Sequence, residues 1–126
     1  MEHLPIIRVG TQPHKTQNYD TAGNYEELKG VWYVDVSHLP DWRMEFLIAL
    51  HELVEMALTK NNGVDWKDID YFDTEGGGKD HPDPGSLETA PYHKEHMAAE
   101  QLERKMAELL GVEWELYNQA LDALEY

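Results

Sequence analysis

The chain has 126 residues, of which 41% are hydrophobic and 28% are charged, the balance of one folded domain rather than of a disordered segment. Lysine and arginine total 10 against 25 aspartate and glutamate residues, and the formal net charge of -15 would repel nucleic-acid phosphates, so direct nucleic-acid binding is not expected. The chain contains no cysteine, which excludes disulfides and thiolate ligands and leaves His, Asp and Glu to hold any metal.

The sequence carries no sign of membrane insertion or secretion. No window reaches the roughly 18 consecutive apolar residues that indicate a membrane-spanning helix. The first five residues contain no basic run leading into an apolar stretch. We therefore expect a cytoplasmic protein without a membrane partner, in an oligomeric state that the sequence leaves open.

Residues 1–37 are predicted to contain strands and loops. A short β-branched run at residues 6–9 ends at Gly10, and the sequence up to Asn24 is rich in turn residues with room for one short strand. Residues 31–36 are the strongest predicted strand because they are rich in β-branched and aromatic side chains.

A long central helix is predicted over residues 41–60. Asp41 is a suitable N-cap, Glu45 lies in the first turn, and Asn62 with Gly63 marks the end. The segment between them is apolar on most sides, so this helix should lie in the middle of the fold.

The remaining sequence alternates between helix and loop. Residues 64–72 predict a short acidic helix, and residues 74–90, with three successive glycines, predict a mobile surface loop. Residues 91–125 predict C-terminal helices, the first opened by Pro91 and ended by Gly111, the second over residues 114–124. We therefore predict a single α+β domain, residues 1–126, in which a sheet of two or three strands from the first 37 residues packs on three main helices.

The central helix carries His51 and Glu55, which are four residues apart. On a helix this spacing places both side chains on one face, one turn apart, where they can hold a single ion. Both emerge from an apolar stripe, and buried polar groups need partners. For this pair alone, an internal hydrogen bond without any ion is the simpler explanation.

Further candidate ligands come from the C-terminal helix. Four ionisable side chains fall on one face of it: His93, His96, Glu100 and Glu103. Alanines on the same face would let the two helices approach closely. We therefore expect His96 to join His51 and Glu55 as the third metal ligand. Glu100 can instead form an ordinary surface pair with Arg104.

The fourth position of such a site is predicted to be filled by water, or by Asp73, His93 or Glu100. An open position that water occupies is typical of catalytic zinc sites. Other ionisable residues of the loop match no calcium-binding spacing and are expected to be solvated: Asp80, His81 and Asp83.

A strand, a helix with the sequence His-Glu-x-x and a later helix with another ligand together resemble the zincin metallohydrolases, whose usual motif is His-Glu-x-x-His. The resemblance implies that His51 and Glu55 are the helix ligands, that Glu52 is the general base, and that residues 31–36 are the edge strand that binds an extended peptide. His96 matches no fixed position of the motif. Zinc remains the first choice of ion. Because the carboxylate of Glu55 replaces the second histidine, the harder ions Mn²⁺ and Fe²⁺ are alternatives.

The chain also resembles small uncharacterised proteins of phages and bacteria that share the segment His-Glu-Leu-x-Glu, here residues 51–55. A second shared segment is Pro-Tyr-x-x-x-His, here residues 91–96. This second resemblance supplies no activity.

Three functions are consistent with these patterns. The first is a metal-dependent hydrolase of peptide or protein substrates, with the ion on His51, Glu55 and His96, Glu52 as general base, and the loop at residues 74–87 gating access. The alternative is an acidic phage-type inhibitor or adaptor that binds a basic protein surface without catalysis. A two-metal carboxylate site is the least favoured, because the Glu-x-x-His spacing of such sites is absent.

Overall fold

The computed structural model describes residues 3–126 as an α+β fold with one mixed sheet. The sheet has three strands, β1 (Ile6–Gln12), β2 (Gly23–Leu28) and β3 (Val31–Ser37), in the spatial order β1-β3-β2. β1 runs parallel to β3, and β2 runs antiparallel to it. The α+β class and the small sheet within the first 37 residues are confirmed.

β3 is the central strand, and its inner face builds the core. Trp32, Val34 and Val36 alternate with half-buried residues and are buried, as the two-residue period of a strand requires. The tight turn into β3 uses Lys29 and Gly30, both with positive φ, which suits a two-residue hairpin. The expectation that residues 31–36 are an edge strand is therefore wrong, because β3 is paired on both sides and the edges are β1 and β2.

Four helices follow the sheet: α1 (Trp42–Asn61), α2 (Trp66–Thr74), α3 (His93–Leu110) and α4 (Trp114–Asp122). Asp41 caps α1 through a 2.8 Å bond from the Arg43 backbone N–H to its carboxylate. α3 ends at Gly111, which has the left-handed conformation that favours glycine at this position. The three main helices and the short acidic helix that the sequence predicts are thus all present.

The main core lies between the sheet and the long helices. Val34 and Val36 of β3 belong to one buried cluster with Leu47 of α1, Ala107 of α3 and Tyr117 of α4. α1 is the element that contacts the sheet on one side and α3 on the other, so it is central, as its apolar sequence indicated.

A second, smaller cluster fixes the segment between α2 and α3. Phe72 of α2 packs with Ala90 and Tyr92, which lie just before α3. Residues 74–90, predicted as a mobile loop, contain one turn of 3-10 helix at Pro84–Ser86, and Gly85 is buried. Within residues 3–126, no helix has both the length and the apolar character needed to cross a membrane.

Candidate metal centre

Three predicted ligands meet in the structure. α1 presents His51 and Glu55 one turn apart, and α3 brings His96 to them. His51 Nε2 lies 3.1 Å from Glu55 Oε2 and 3.1 Å from His96 Nδ1, and His96 Nδ1 lies 2.9 Å from Glu55 Oε2. The three atoms form a nearly equilateral triangle, and all three side chains are buried.

The triangle is slightly smaller than the ligand set of a small divalent ion, so the three atoms need to move apart by only a few tenths of an ångström to hold one. Donor atoms held about 2.0–2.1 Å from a tetrahedral zinc ion lie roughly 3.3 Å apart. Hydrogen bonds alone explain the triangle less well. Each ring can donate one proton to Glu55, and then no proton is left to join the two imidazole nitrogens, which also lie in contact. Two nitrogens and one carboxylate oxygen that converge in this way can therefore hold an ion.

The second nitrogen of His51 is held by a carboxylate. Glu103 Oε1 lies 2.6 Å from His51 Nδ1, and because a carboxylate only accepts, that nitrogen carries a proton and donates it. The hydroxyl of Tyr117, which is fully buried on α4, donates to the other oxygen of Glu103. A carboxylate behind a ligating histidine fixes the ring and its tautomer, as in many zinc sites.

His96 and Glu55 are also held from behind. His96 Nε2 lies 3.0 Å from Asp83 Oδ1, so Nδ1 is the nitrogen turned towards the triangle. The Tyr25 hydroxyl on β2 donates to Glu55 Oε1 over 3.0 Å, which leaves Oε2 for the triangle. Every one of the three candidate ligands thus has its remaining polar atom bonded by another side chain.

The backbone at Gly85 covers His96. A β-carbon added at Gly85 would lie 2.4 Å from His96 Cγ and 2.5 Å from its Nδ1, which is far closer than atoms can approach. Only glycine lets the chain pass this close to the ring. The turn of 3-10 helix at Pro84–Ser86 and Asp83 beside it therefore help to hold His96 in place.

The charges of neighbouring side chains determine how His51, His96 and Glu55 are protonated. Burial lowers the pKa of His51, but its bonds with Glu103 and Glu55 raise it to about 11. Burial also lowers the pKa of His96, and Asp83 and Glu55 raise it to about 10. Burial raises the pKa of Glu55, yet the two imidazoles hold it well below its usual range. The cluster is thus rich enough in negative charge to keep two cationic rings, and the same charge favours a divalent cation.

Glu52, the predicted general base, faces the cavity beside the triangle. Its side chain occupies the space above Gly23, where an added β-carbon would lie 2.7 Å from both Glu52 Cγ and Oε1. No hydrogen bond or ion pair within residues 3–126 engages its carboxylate. Burial, followed by the charge of Glu55, raises its pKa. A carboxylate with a raised pKa and no fixed partner can take up and release a proton near neutral pH.

The candidates for the fourth position lie elsewhere. Asp73 lines the same cavity, but the Tyr92 and Tyr19 hydroxyls donate to its two oxygens over 2.5 and 3.4 Å. His93 Nδ1 contacts the Gly85 carbonyl oxygen at 3.0 Å. Glu100 also lines the cavity, and its carboxylate lies 3.9 Å from Arg104 Nε. None of the three belongs to the triangle, so water is the simplest fourth ligand.

One predicted role is corrected and several residues were missed. Asp83 was expected to be solvated, whereas it pairs with His96. Glu103 was placed on the correct helix face, but its bond with His51 was not predicted. It lies seven residues after His96, two turns along the same face, and this spacing could have identified it. Tyr25 and Tyr117 carry no local signal, because each reaches the site from another element.

The site opens into a cavity of about 740 Å³. Its walls come from the start of β2, from α1, α2 and α3, from residues 79–85 and from α4. β2, an edge strand, therefore lies beside the candidate ion site, at the place that the resemblance had assigned to residues 31–36. Comparisons with family models, curated proteins and solved structures find no match to this chain.

Proposed function

We propose that this protein is a metal-dependent hydrolase with the character of a peptidase, holding one divalent ion on His51, Glu55 and His96. The observation that carries the proposal is the triangle of three ligand atoms at 2.9 to 3.1 Å, in which each ligand is held from behind by another side chain. An accidental cluster of surface acids would not be buried and would not have this supporting set.

The chemistry follows from the positions of the side chains. A divalent ion at this site would polarise a carbonyl group and lower the pKa of its water. Glu52 would accept the proton of the attacking water and return it to the leaving amine, which its raised pKa favours. The cavity accommodates an extended segment of substrate along β2, where unpaired backbone groups of an edge strand are available.

Zinc is the ion that we propose first. Two imidazole nitrogens and one carboxylate, with a fourth position left to water, are a ligand set found in catalytic zinc sites. The carboxylate of Glu55 in place of a third nitrogen makes the site harder, so Mn²⁺ and Fe²⁺ are the ions to test beside zinc.

The first test is the metal content of protein purified without chelator, measured by elemental analysis. We expect about one equivalent of zinc, manganese or iron per chain, lost in His51→Ala and retained in His38→Ala, whose side chain is exposed and pairs with Glu45. Hydrolysis is then measured with a mixture of fluorogenic peptides. Glu52→Gln should abolish cleavage while the metal content stays the same.

The alternative, an acidic inhibitor or adaptor, is supported by the net charge of -15. It predicts that Glu52→Gln changes nothing and that the triangle is a structural hydrogen-bonded cluster. A folded protein that contains no metal and does not gain thermal stability on addition of zinc, manganese or iron would refute the hydrolase proposal and favour this alternative.

A further inference from the structure

The cavity beyond the triangle is strongly acidic. Ten of its lining residues are aspartate or glutamate, and Lys79 is the only lysine or arginine among those that the structure places there. Glu52, Asp70 and Asp73 line it without an ion pair to any residue in the range 3–126. A wall of this charge attracts cations and repels anionic substrates.

One face of α2 forms the outer wall of this cavity. Trp66, Asp70 and Asp73 follow one another at helical spacing of four and three residues and all line the cavity, with Ile69 between them. Asp73 is bonded by Tyr92 and Tyr19. The Asp70 side chain has no such bond, and burial followed by the charge of Glu26 raises its pKa. Asp70 is therefore the carboxylate on this wall that lacks a partner.

A second observation, independent of the number of acids, points to a ligand. Glu52 is half-buried, its carboxylate has no hydrogen-bond partner in the described chain, and it lines the cavity. The Tyr19 hydroxyl lies within the field of Glu52, Asp70 and Asp73, and burial together with these charges raises its pKa far above the usual range. Three carboxylates, those of Glu52, Asp70 and Asp73, thus face one region of the cavity.

The proposed ion does not pair with Asp70. An ion on His51, Glu55 and His96 lies at the α1–α3 contact, whereas Asp70 belongs to α2 and is outside the group of converging ligand atoms. Trp66 beside it is 48% exposed and offers apolar surface, the arrangement that accommodates a long aliphatic stem with a charged end. An aromatic ring next to a carboxylate also favours a cation over a neutral group.

We propose that the α2 wall is a subsite for the cationic side chain of a lysine or arginine in a peptide substrate, with Asp70 binding the charged end and Trp66 flanking the stem. This inference rests on the proposed peptidase function. Asp70 thereby determines specificity, and the hydrolytic groups remain those of the triangle and Glu52.

The test compares two blocked pentapeptides, Ala-Ala-Arg-Ala-Ala and the same peptide with citrulline, which has nearly the shape of arginine without its charge. Binding to the zinc-loaded protein at low salt is measured by NMR titration, so the result does not depend on cleavage. We expect the arginine peptide to bind roughly tenfold more tightly, the effect of one charge-assisted pair. Asp70→Asn should remove this difference. Asp68→Asn, an exposed change of the same charge on the same helix, should preserve it.

Equal binding of the two peptides by the unmodified protein, including no detectable binding of either, would overturn the subsite. A preference for arginine that survives in Asp70→Asn would overturn the role of Asp70. Neither outcome affects the zinc content or its loss in His51→Ala, so failure of the subsite is distinguishable from failure of the proposed hydrolase.

Discussion

Glu103 determines how His51 is presented to an ion, because its carboxylate accepts the proton of His51 Nδ1 and is itself held by Tyr117. Glu103→Gln keeps the shape but replaces a charged acceptor with a neutral one. We expect zinc affinity to fall about tenfold or more, measured by competition with a chromophoric chelator. Glu108→Gln, an exposed change on the same helix, is the control and should leave the affinity unchanged. Equal affinities in the two variants would contradict the orienting role.

Gly85 is a residue at which one added carbon atom should disturb the candidate metal site. Gly85→Ala would place a β-carbon against His96, so the ring or the backbone turn must move. We expect loss of most zinc binding while the helical circular dichroism signal stays near that of the parent. Gly10→Ala is the matched control, since nothing lies within 4 Å of the added atom. Normal zinc binding in Gly85→Ala would mean that His96 tolerates displacement and is not a ligand.

Asp73 gives the fold a defined dependence on pH. Burial, together with the charge of Glu55, raises the pKa of Asp73 to about 6, against the lowering effect of its tyrosine bonds. An unfolded aspartate has a pKa of about 3.9, so between the two values the unfolded chain has lost a proton that the folded chain keeps. Because proton binding and folding are coupled, Asp73 lowers the free energy of unfolding as pH rises from about 4 to about 6, and it has no such effect at lower pH.

Asp73→Asn removes the ionisation and should be more stable than the parent above pH 6, with the gain disappearing near pH 4. Urea unfolding at several pH values measures it, with Asp68→Asn as the exposed control on the same helix. A variant that is less stable than the parent at pH 7 would show that the tyrosine bonds to a charged Asp73 outweigh its burial.

Some residues of the site can be predicted from the sequence, and others cannot. The spacing of His51 and Glu55 and the apolar stripe around them are local properties of one helix, and His96 follows from the face that it shares with small alanines. Asp83 lies in an irregular segment whose path is decided by the contacts of Phe72, Ala90 and Tyr92, so no local pattern connects it to His96.

At the level of elements, the close approach of α1 and α3 brings the ligands together. His51 lies beside Glu103 while Glu55, one turn further on, contacts His96, so the two helices are antiparallel. Ala99, which has no exposed surface, lies on the packing face of α3. Small side chains at such a contact allow helix axes to lie near the short end of the usual 8–10 Å range.

Enlarging this contact should separate the ligands. We expect Ala99→Leu to destabilise the protein by about 1–3 kcal/mol and to weaken zinc binding, measured by urea unfolding and chelator competition. Ala98→Leu, the neighbouring residue with a half-buried side chain, should have a smaller effect on both quantities. Unchanged zinc affinity in Ala99→Leu would show that the triangle does not depend on how closely the helices pack.

The helices were predictable from their caps, whereas β2 was not. Asp41 and Gly111 act locally, and the predicted ends of the two long helices agree with the structure to within one or two residues. β2 contains Asn24, Glu26 and Glu27, which have low intrinsic strand preference, and it exists because its backbone pairs with β3. The same non-local pairing makes β3 central, which its own sequence does not reveal.

For the whole molecule, the dominant property is charge. A net charge of -15 on 126 residues means that the folded chain repels itself. We expect the melting temperature to rise as sodium chloride increases from about 10 mM to about 300 mM, because screening weakens that repulsion. Differential scanning calorimetry without added divalent ions measures it. A falling melting temperature would show that ion pairs such as that of Lys60 and Glu27 outweigh the repulsion.

The contact of His51 with His96 joins two points that are roughly 45 residues apart in the chain. An ion bound there would act as a removable cross-link, restricting the unfolded chain much as a disulfide does, and closure of a loop of this length corresponds to about 4 kcal/mol in the chain-entropy model. The sequence contains no cysteine with which to form a permanent link. The loop so closed contains α2 and the turn at Pro84–Ser86, two walls of the cavity, so their order would be regained or lost with the ion.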